Sequence, residues 1–295
     1  MKTKQNSKAH VHTFYRTVEV DGVHIFYREA GNPGAPSVLL LHGFPTSSHM
    51  FRHLIPLLAD KYHVVAPDYP GFGRSDSPSP DTFAYTFEQL SEIMERFTDK
   101  LGLTSINLYM QDYGGPVGFR IAVRRPELFA SFIIQNANAY TEGFGRGVLE
   151  LNAVQYSGDK IKLNAAIDRM ISYEGIRQQY LNGVPDTSRI SPDAYLLDHI
   201  FVEQEGRKEI QRQLMANYPS NFKKYPEWQA YFRKQQPPAL ILWGKNDSIF
   251  IAAGAKAYLK DLEKAQLHLL DGGHFVLEEH PHLMADLIRD FLDGK

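Results

Sequence analysis

The chain has 295 residues, of which 43% are hydrophobic and 22% charged, with 32 basic against 34 acidic side chains. This near-neutral balance argues against non-specific nucleic-acid binding, and the lack of cysteine excludes disulfides, a thiolate nucleophile and cysteine metal ligands. Because no long apolar run is present, we expect a cytoplasmic protein without a secretory signal or a membrane-spanning helix.

Short apolar runs alternate with helix-length amphipathic stretches in the first half of the chain and again near its end. An Asp21-Gly22 turn joins the first two runs into a predicted hairpin, and residues 1–14 before it are expected to be irregular. The alternation predicts right-handed βαβ units and a mostly parallel sheet. We place strands at 17–20, 24–30, 38–41, 63–66, 106–110, 132–134, 239–243 and 266–270, and helices at 48–59, 87–101, 116–124, 254–262 and 283–292.

The alternation is interrupted between residues 138 and 235, where helical patterns and many tyrosines occur. The sequence therefore predicts an α/β core made of 1–137 and 236–295, with its sheet flanked by helices, and a helical cap made of 138–235. A cap at this point would cover the strand ends, where open α/β sheets bind ligands. A second packing layer without a role in binding is the alternative.

Asp112 follows the predicted strand 106–110 and precedes Gly114-Gly115 and a helix. Two small residues let the chain turn sharply from strand to helix, and such a turn presents one side chain above the sheet as a nucleophile. The chain contains no G-x-S-x-G sequence, so an aspartate holds the position that a serine usually takes. Alternatively, Asp112 only caps the helix that follows.

Two backbone N–H groups are candidates for an oxyanion hole, which stabilises negative charge on an oxygen. One belongs to Tyr113, the residue after the candidate nucleophile. The other belongs to Phe44, in the loop after strand 38–41, since the neighbouring Pro45 has no N–H. An ordinary turn is the alternative for this loop.

His274 and Asp247 complete a candidate catalytic triad. His274 follows two glycines after strand 266–270, a suitable place for a general base. Asp247 follows strand 239–243, from where a carboxylate could orient the imidazole. Asp271 is an alternative acid, but its position three residues before His274 suits a turn. The chain order nucleophile, acid, base is the one expected for an α/β-hydrolase fold.

At these positions the chain resembles the α/β-hydrolase superfamily over nearly its whole length. Within it, the aspartate elbow is similar to that of haloalkane dehalogenases and epoxide hydrolases. Residues 111–115 (QDYGG) and 273–276 (GHFV) look like the dehalogenase elbow and base loop, whereas 42–45 (HGFP) and 71–75 (GFGRS) are shared by both branches.

The resemblance implies a two-step reaction without a cofactor or a metal. Asp112 would attack an sp3 carbon and form an alkyl ester, and water activated by His274 would then hydrolyse that ester. The oxyanion hole would stabilise the second step.

The residues that would hold the leaving group depart from the dehalogenase pattern. Tyr113 replaces the elbow tryptophan whose N–H holds the halide, and Phe44 replaces an asparagine donor found in some dehalogenases. Epoxide hydrolases instead protonate the ring oxygen with cap tyrosines. We therefore consider Tyr113, Trp228, Tyr140 and Tyr218 as candidate substrate or leaving-group residues.

The elbow and base loops narrowly favour a dehalogenase-like hydrolase that cleaves carbon–halogen bonds of small apolar substrates. An epoxide hydrolase with the same triad and tyrosine acids is the alternative. An esterase or lactonase and a non-catalytic binding protein on the same scaffold also remain open. The expected partner is a small apolar organic substrate, with no nucleic acid and no membrane, and the protein is expected to be a monomer or a homodimer.

Overall fold

Eight strands form one sheet in the computed structural model, which describes residues 11–294. The strands are β1 (Thr13–Val20), β2 (Val23–Ala30), β3 (Ser37–Leu41), β4 (His63–Pro67), β5 (Ile106–Gln111), β6 (Phe129–Gln135), β7 (Ala239–Gly244) and β8 (Gln266–Leu270). Their order is β1-β2-β4-β3-β5-β6-β7-β8. The two pairs that involve β2 are antiparallel and the others are parallel, so the predicted mostly parallel sheet is confirmed.

The predicted hairpin is present at the edge of the sheet. Asp21 and Gly22 have φ angles of 50° and 78°, as a tight turn between right-twisted strands requires. β1 begins at Thr13, earlier than predicted. The first residues of this strand could not be predicted because their mostly exposed side chains show no clear apolar pattern. Of the predicted irregular segment 1–14, residues 1–10 lie outside the described residues.

Helices flank the sheet and form the segment between β6 and β7. They are α1 (Leu54–Leu58), α2 (Phe87–Lys100), α3 (Gly114–Arg124), α4 (Arg146–Ser157), α5 (Lys160–Met170), α6 (Tyr173–Leu181), α7 (Pro192–Val202), α8 (Arg207–Asn217), α9 (Tyr225–Gln235), α10 (Ala252–Ala257), α11 (Val276–Glu279) and α12 (Pro281–Leu292). No helix in the described part of the chain is long and apolar enough to cross a membrane.

The predicted helix at 48–59 is divided in the structure. A 3₁₀ turn at Ser48–Phe51 precedes the short α1. Pro56 explains the late start of α1, because proline has no N–H to donate and is tolerated only in the first turn of a helix.

The six helices α4 to α9 lie within the segment 138–235, which the sequence assigns to a cap. α9 packs on α3 of the core through aromatic side chains, with Phe119 at 5.5 Å from Trp228 and 5.1 Å from Phe232 between ring centroids. By contrast, α4 has no buried residue and α5 has only Ile167. This segment is therefore anchored to the rest of the chain at α9 and is more open at α4 and α5.

Candidate active site

The turn between β5 and α3 has the geometry of a nucleophile elbow. Asp112 lies between the two elements with a φ of 49°, a left-handed conformation that aspartate adopts more readily than most side chains do. A Cβ atom on Gly114 would lie 2.4 Å from the carbonyl oxygen of Leu41, so only glycine allows α3 to begin this close to β3. The turn thus holds Asp112 above the ends of the central strands.

The two carboxylate oxygens of Asp112 have different surroundings. Oδ1 accepts hydrogen bonds from the backbone N–H groups of Phe44, at 2.9 Å, and Tyr113, at 2.7 Å. Oδ2 lies 3.8 Å from Nε2 of His274. Both N–H groups expected to form an oxyanion hole therefore meet at one oxygen, and the other oxygen is left beside the imidazole.

His274 is paired with Asp247, the acid favoured by the sequence. Nδ1 of His274 lies 2.7 Å from Oδ2 of Asp247, and the backbone N–H of Ile249 donates to Oδ1 of that aspartate at 2.7 Å. Asp271 is exposed and instead accepts a hydrogen bond from the side chain of Asn246. The structure thus brings Asp112, His274 and Asp247 together.

Three amide side chains at the ends of β5 and β6 support this arrangement, and the sequence analysis did not assign them a role. Asn136 donates to Oδ2 of Asp247 at 2.7 Å and accepts from the backbone N–H of Gly244 at 3.0 Å. Gln135 donates to the backbone carbonyl of His274 at 3.2 Å. Nε2 of Gln111 lies 3.0 Å from Nε2 of His274. The only sequence signal was the presence of amides at neighbouring strand ends.

Burial and charge change the proton affinity of the two central groups. Burial raises the pKa of Asp112 from 3.8 to about 6, although the charge of His274 and the two backbone hydrogen bonds oppose this change. Burial alone would lower the pKa of His274, but the charge and hydrogen bond of Asp247 and the charge of Asp112 raise it above 6.5.

A cavity of about 50 Å³ adjoins Asp112 and His274. Of the four candidate leaving-group residues, Tyr113 and Tyr218 line it, with their ring centroids 6.0 Å apart. The hydroxyl group of Tyr113 is buried and has no hydrogen-bond partner among the described residues. Tyr225, which was not singled out from the sequence, does not line the cavity but has its hydroxyl group beside that of Tyr218. The cavity is therefore bordered by phenol groups able to donate a hydrogen bond.

Tyr140 and Trp228 do not line this cavity, so the structure corrects the expectation that they contact a leaving group. The Tyr140 hydroxyl donates to Asp261 at 2.6 Å, and its ring packs on Tyr258. Trp228 is fully buried and packs between α9 and α3, as described above. Packing in the cap–core interface accounts for both side chains.

No group of three or more histidine, aspartate or glutamate side chains within residues 11–294 is arranged to hold a metal ion. The chemistry that the site offers is that of a buried carboxylate, an imidazole with its acid, two backbone N–H donors and phenol hydroxyls.

Sequence comparison relates the chain to hydrolases. A family model described as alpha/beta hydrolase fold matches residues 36–183. An uncharacterised hydrolase of Saccharomyces cerevisiae is 40% identical over 93% of this chain and 95% of its own length. A haloalkane dehalogenase of Psychrobacter cryohalolentis is 30% identical over 91% of this chain and 87% of its own length.

Solved structures share the fold at lower identity. The epoxide hydrolase CorEH is 21% identical, with a TM-score of 0.79 over 96% of this chain and 99% of its own. DBJA is 22% identical, with a TM-score of 0.77 over 96% of this chain and 98% of its own. At these identities, the similarities concern the fold alone.

Proposed function

Since this chain is a hydrolase that belongs to the α/β-hydrolase family, we propose that it acts through a covalent ester on Asp112. The observation that carries the proposal is the asymmetry of this carboxylate. Oδ1 is held by the N–H groups of Phe44 and Tyr113, whereas Oδ2 accepts no hydrogen bond from them and lies beside His274. An oxygen left in this way can attack carbon.

In the first step, Oδ2 of Asp112 attacks an sp3 carbon and displaces its leaving group, so that an alkyl ester forms. In the second step, His274 takes a proton from water, and the resulting hydroxide adds to the carboxyl carbon. The negative charge then develops on Oδ1, where the Phe44 and Tyr113 N–H groups already point. Collapse of this intermediate breaks the ester bond, and the alcohol leaves with the proton from His274.

The first step prepares His274 for the second. The charge of Asp112 is one of the causes that raise the pKa of His274, and this charge disappears when the ester forms. The imidazole therefore binds its proton less tightly in the ester than in the free enzyme, which favours the neutral form that a general base requires.

The groups around the cavity favour an epoxide as the substrate. A ring oxygen leaves as an alkoxide and needs a proton, and Tyr218 lines the cavity beside Asp112. Burial raises the pKa of Tyr218 well above 10, with smaller contributions from Tyr225 and the charge of Asp112. This hydroxyl thus keeps its proton at neutral pH and can donate it to the more basic alkoxide. Water then returns the proton to the phenolate.

A haloalkane is the second candidate. The observation in its favour is the 30% identity to a haloalkane dehalogenase over most of both chains. The unpartnered Tyr113 hydroxyl could donate a hydrogen bond to a departing halide, in the place of the N–H that the dehalogenase pattern provides. A halide leaves without a proton, so this reaction would not need Tyr218 as an acid.

A single turnover in ¹⁸O-labelled water tests the ester. The label is expected in the Asp112 carboxylate after hydrolysis, and label in the product alcohol alone would contradict the proposal. Epoxybutane and bromobutane then separate the leaving groups, because one gives a diol and the other gives bromide. Hydrolysis of p-nitrophenyl esters that survives Asp112→Ala would indicate an esterase, and ligand binding without any turnover would indicate a binding protein.

Tyr218→Phe tests the proton donor. Loss of a general acid is expected to slow diol formation by ~10²–10⁴-fold, with a much smaller effect on bromide release. Tyr156→Phe is the matched control, since Tyr156 is another cap tyrosine but is 72% exposed and lies outside the cavity. Equal loss of both products in Tyr218→Phe would argue against a role in protonation.

A further inference from the structure

The cavity beside Asp112 has room for the reacting end of a substrate. Its volume of about 50 Å³ is a few times the roughly 10–15 Å³ that one water molecule requires. A substrate much larger than its reacting group therefore has to extend beyond this cavity.

A groove of about 780 Å³ lies next to the cavity. It lies between α4, α5 and α6 and the loop that follows Asp247. Five side chains border both spaces, so the groove adjoins the cavity. They are Val148, Leu151, Met170, Gln179 and Ile249.

The groove offers an apolar surface for a chain. Val154 of α4 and Ala166 of α5 extend the apolar wall beyond the shared residues. The charged residues that border the groove are exposed, and two of them, Arg146 and Glu150, pair with each other at 2.7 Å. Hence no buried charge selects a polar tail.

We propose that this groove binds the alkyl tail of the substrate, and that the enzyme prefers terminal epoxides with a long unbranched chain. The inference rests on the proposed function for the reacting end of the molecule. The reactive carbon would sit at Asp112, and the chain attached to it would pass Val148 and Met170 into the groove. The side chains that the groove shares with the site of attack favour a tail joined to the reacting carbon over a separate partner.

The expected effect is a dependence of kcat/KM on chain length. Each methylene moved from water into an apolar groove contributes up to about fourfold to kcat/KM. Terminal epoxides with four, six, eight and ten carbons should therefore show a steady rise until the groove is filled. Equal values for all four chains would overturn the proposal.

Two adjacent alanines of α5 provide a matched pair of variants. Ala166 lines the groove, whereas Ala165 is exposed and borders neither space. Ala166→Phe should remove most of the gain for the eight- and ten-carbon epoxides and change kcat/KM of epoxybutane by less than about twofold. Ala165→Phe should behave as the unaltered enzyme. An equal decrease at all chain lengths in Ala166→Phe would contradict the assignment.

A second pair of variants, on α4, guards against misfolding of one variant. Val154 lines the groove and the neighbouring Ala153 is exposed and does not. Val154→Phe should therefore reproduce the loss for long chains, and Ala153→Phe should not. Thermal unfolding followed by circular dichroism shows whether each variant is folded.

A binding measurement separates failure of the groove from failure of the proposed reaction. Butanol, hexanol and octanol cannot react, and equilibrium dialysis gives their affinities for the same set of proteins. Affinity that rises with chain length and falls for octanol in Ala166→Phe supports the groove as the site of the alkyl tail even if no epoxide is turned over, a result that would overturn only the choice of an epoxide as the reacting group. Affinity that is independent of chain length overturns the groove, whatever the activity.

Discussion

Replacement of the Asp112 carboxylate by an amide should stabilise the folded protein while it removes the proposed nucleophile. Burial raises the pKa of Asp112 from 3.8 to about 6, so the ionised form is less favourable in the folded than in the unfolded chain. A shift of about two units corresponds to ~3 kcal/mol. Asparagine has nearly the same shape, carries no charge and keeps an oxygen to accept from Phe44 and Tyr113.

The pH dependence of this gain follows from linkage. Because the folded state binds the Asp112 proton more tightly, the free energy of unfolding falls as the pH rises from 3.8 to about 6 and the penalty is complete above that range. Asp112→Asn should therefore gain about 3 kcal/mol at roughly pH 8 and only about 1 kcal/mol near pH 4.5. For a chain of 295 residues, the larger value corresponds to a rise in Tm of about 5 °C.

Urea unfolding provides the assay, because Trp228 in the cap and Trp243 in the core are fully buried and report on both parts by fluorescence. Asp286→Asn is the control, since Asp286 is exposed and its replacement should change stability by less than about 0.5 kcal/mol. Mass spectrometry verifies that the asparagine is retained. An unchanged or lower stability of Asp112→Asn at the higher pH, or a gain of equal size at both, would refute the reasoning.

Three further predictions concern the reaction. His274→Asn should accumulate the ester, seen as the mass of the substrate added to the protein, because hydrolysis slows by ~10²–10⁴-fold; rapid turnover without such an adduct would exclude His274 as the base. In the unaltered enzyme, kcat/KM should decrease as the pH falls below about 6. Burial raises the pKa of Asp112 to that value, and only the ionised carboxylate attacks. A kcat/KM that stays constant from pH ~7 to ~5 would contradict this prediction. Asn136→Asp places a second carboxylate against Asp247, and aspartate tolerates the φ of 40° at this position. This substitution should slow ester hydrolysis more than ester formation in rapid-quench experiments. Equal slowing of both steps would show that Asn136 does not act through the general base.

That Asp112, Asp247 and His274 lie together could be predicted because each position depends on local sequence. Gly114, two residues after Asp112, indicates a tight turn whatever the rest of the chain does, and a polar residue just past an apolar run marks a strand end. Parallel strands then bring such ends to one edge of the sheet. Hence His274 and Asp247, 27 residues apart, could be placed together without knowledge of side-chain positions.

The roles of the amides and of the cap aromatics could not be predicted in the same way, because they depend on partners distant in sequence. Asn136 acts on Asp247 across 111 residues, and nothing near Asn136 indicates this partner. Tyr140 and Tyr218 are both aromatic residues with a polar tip, but only Tyr140 finds a buried carboxylate, Asp261, 121 residues away. Which tyrosine faces a cavity is decided by the packing of the cap on the core.

The two backbone N–H groups at Asp112 explain how a buried carboxylate can stay available for attack. Burial favours its protonated form, but the charge of His274 and the hydrogen bonds from Phe44 and Tyr113 lower the pKa of Asp112 and leave it at about 6, so most of the group is ionised at neutral pH. In the proposed reaction the same donors bind the same oxygen again when the ester is hydrolysed. Because Oδ1 carries negative charge in the resting enzyme and in the tetrahedral intermediate, the donors need no rearrangement between the two. Oδ2 accepts a hydrogen bond from neither donor, and it is the oxygen that attacks the substrate carbon in the first step. Oδ1 keeps both donors and carries the negative charge in the second step. The two steps therefore use the different surroundings that the two oxygens already have in the free enzyme.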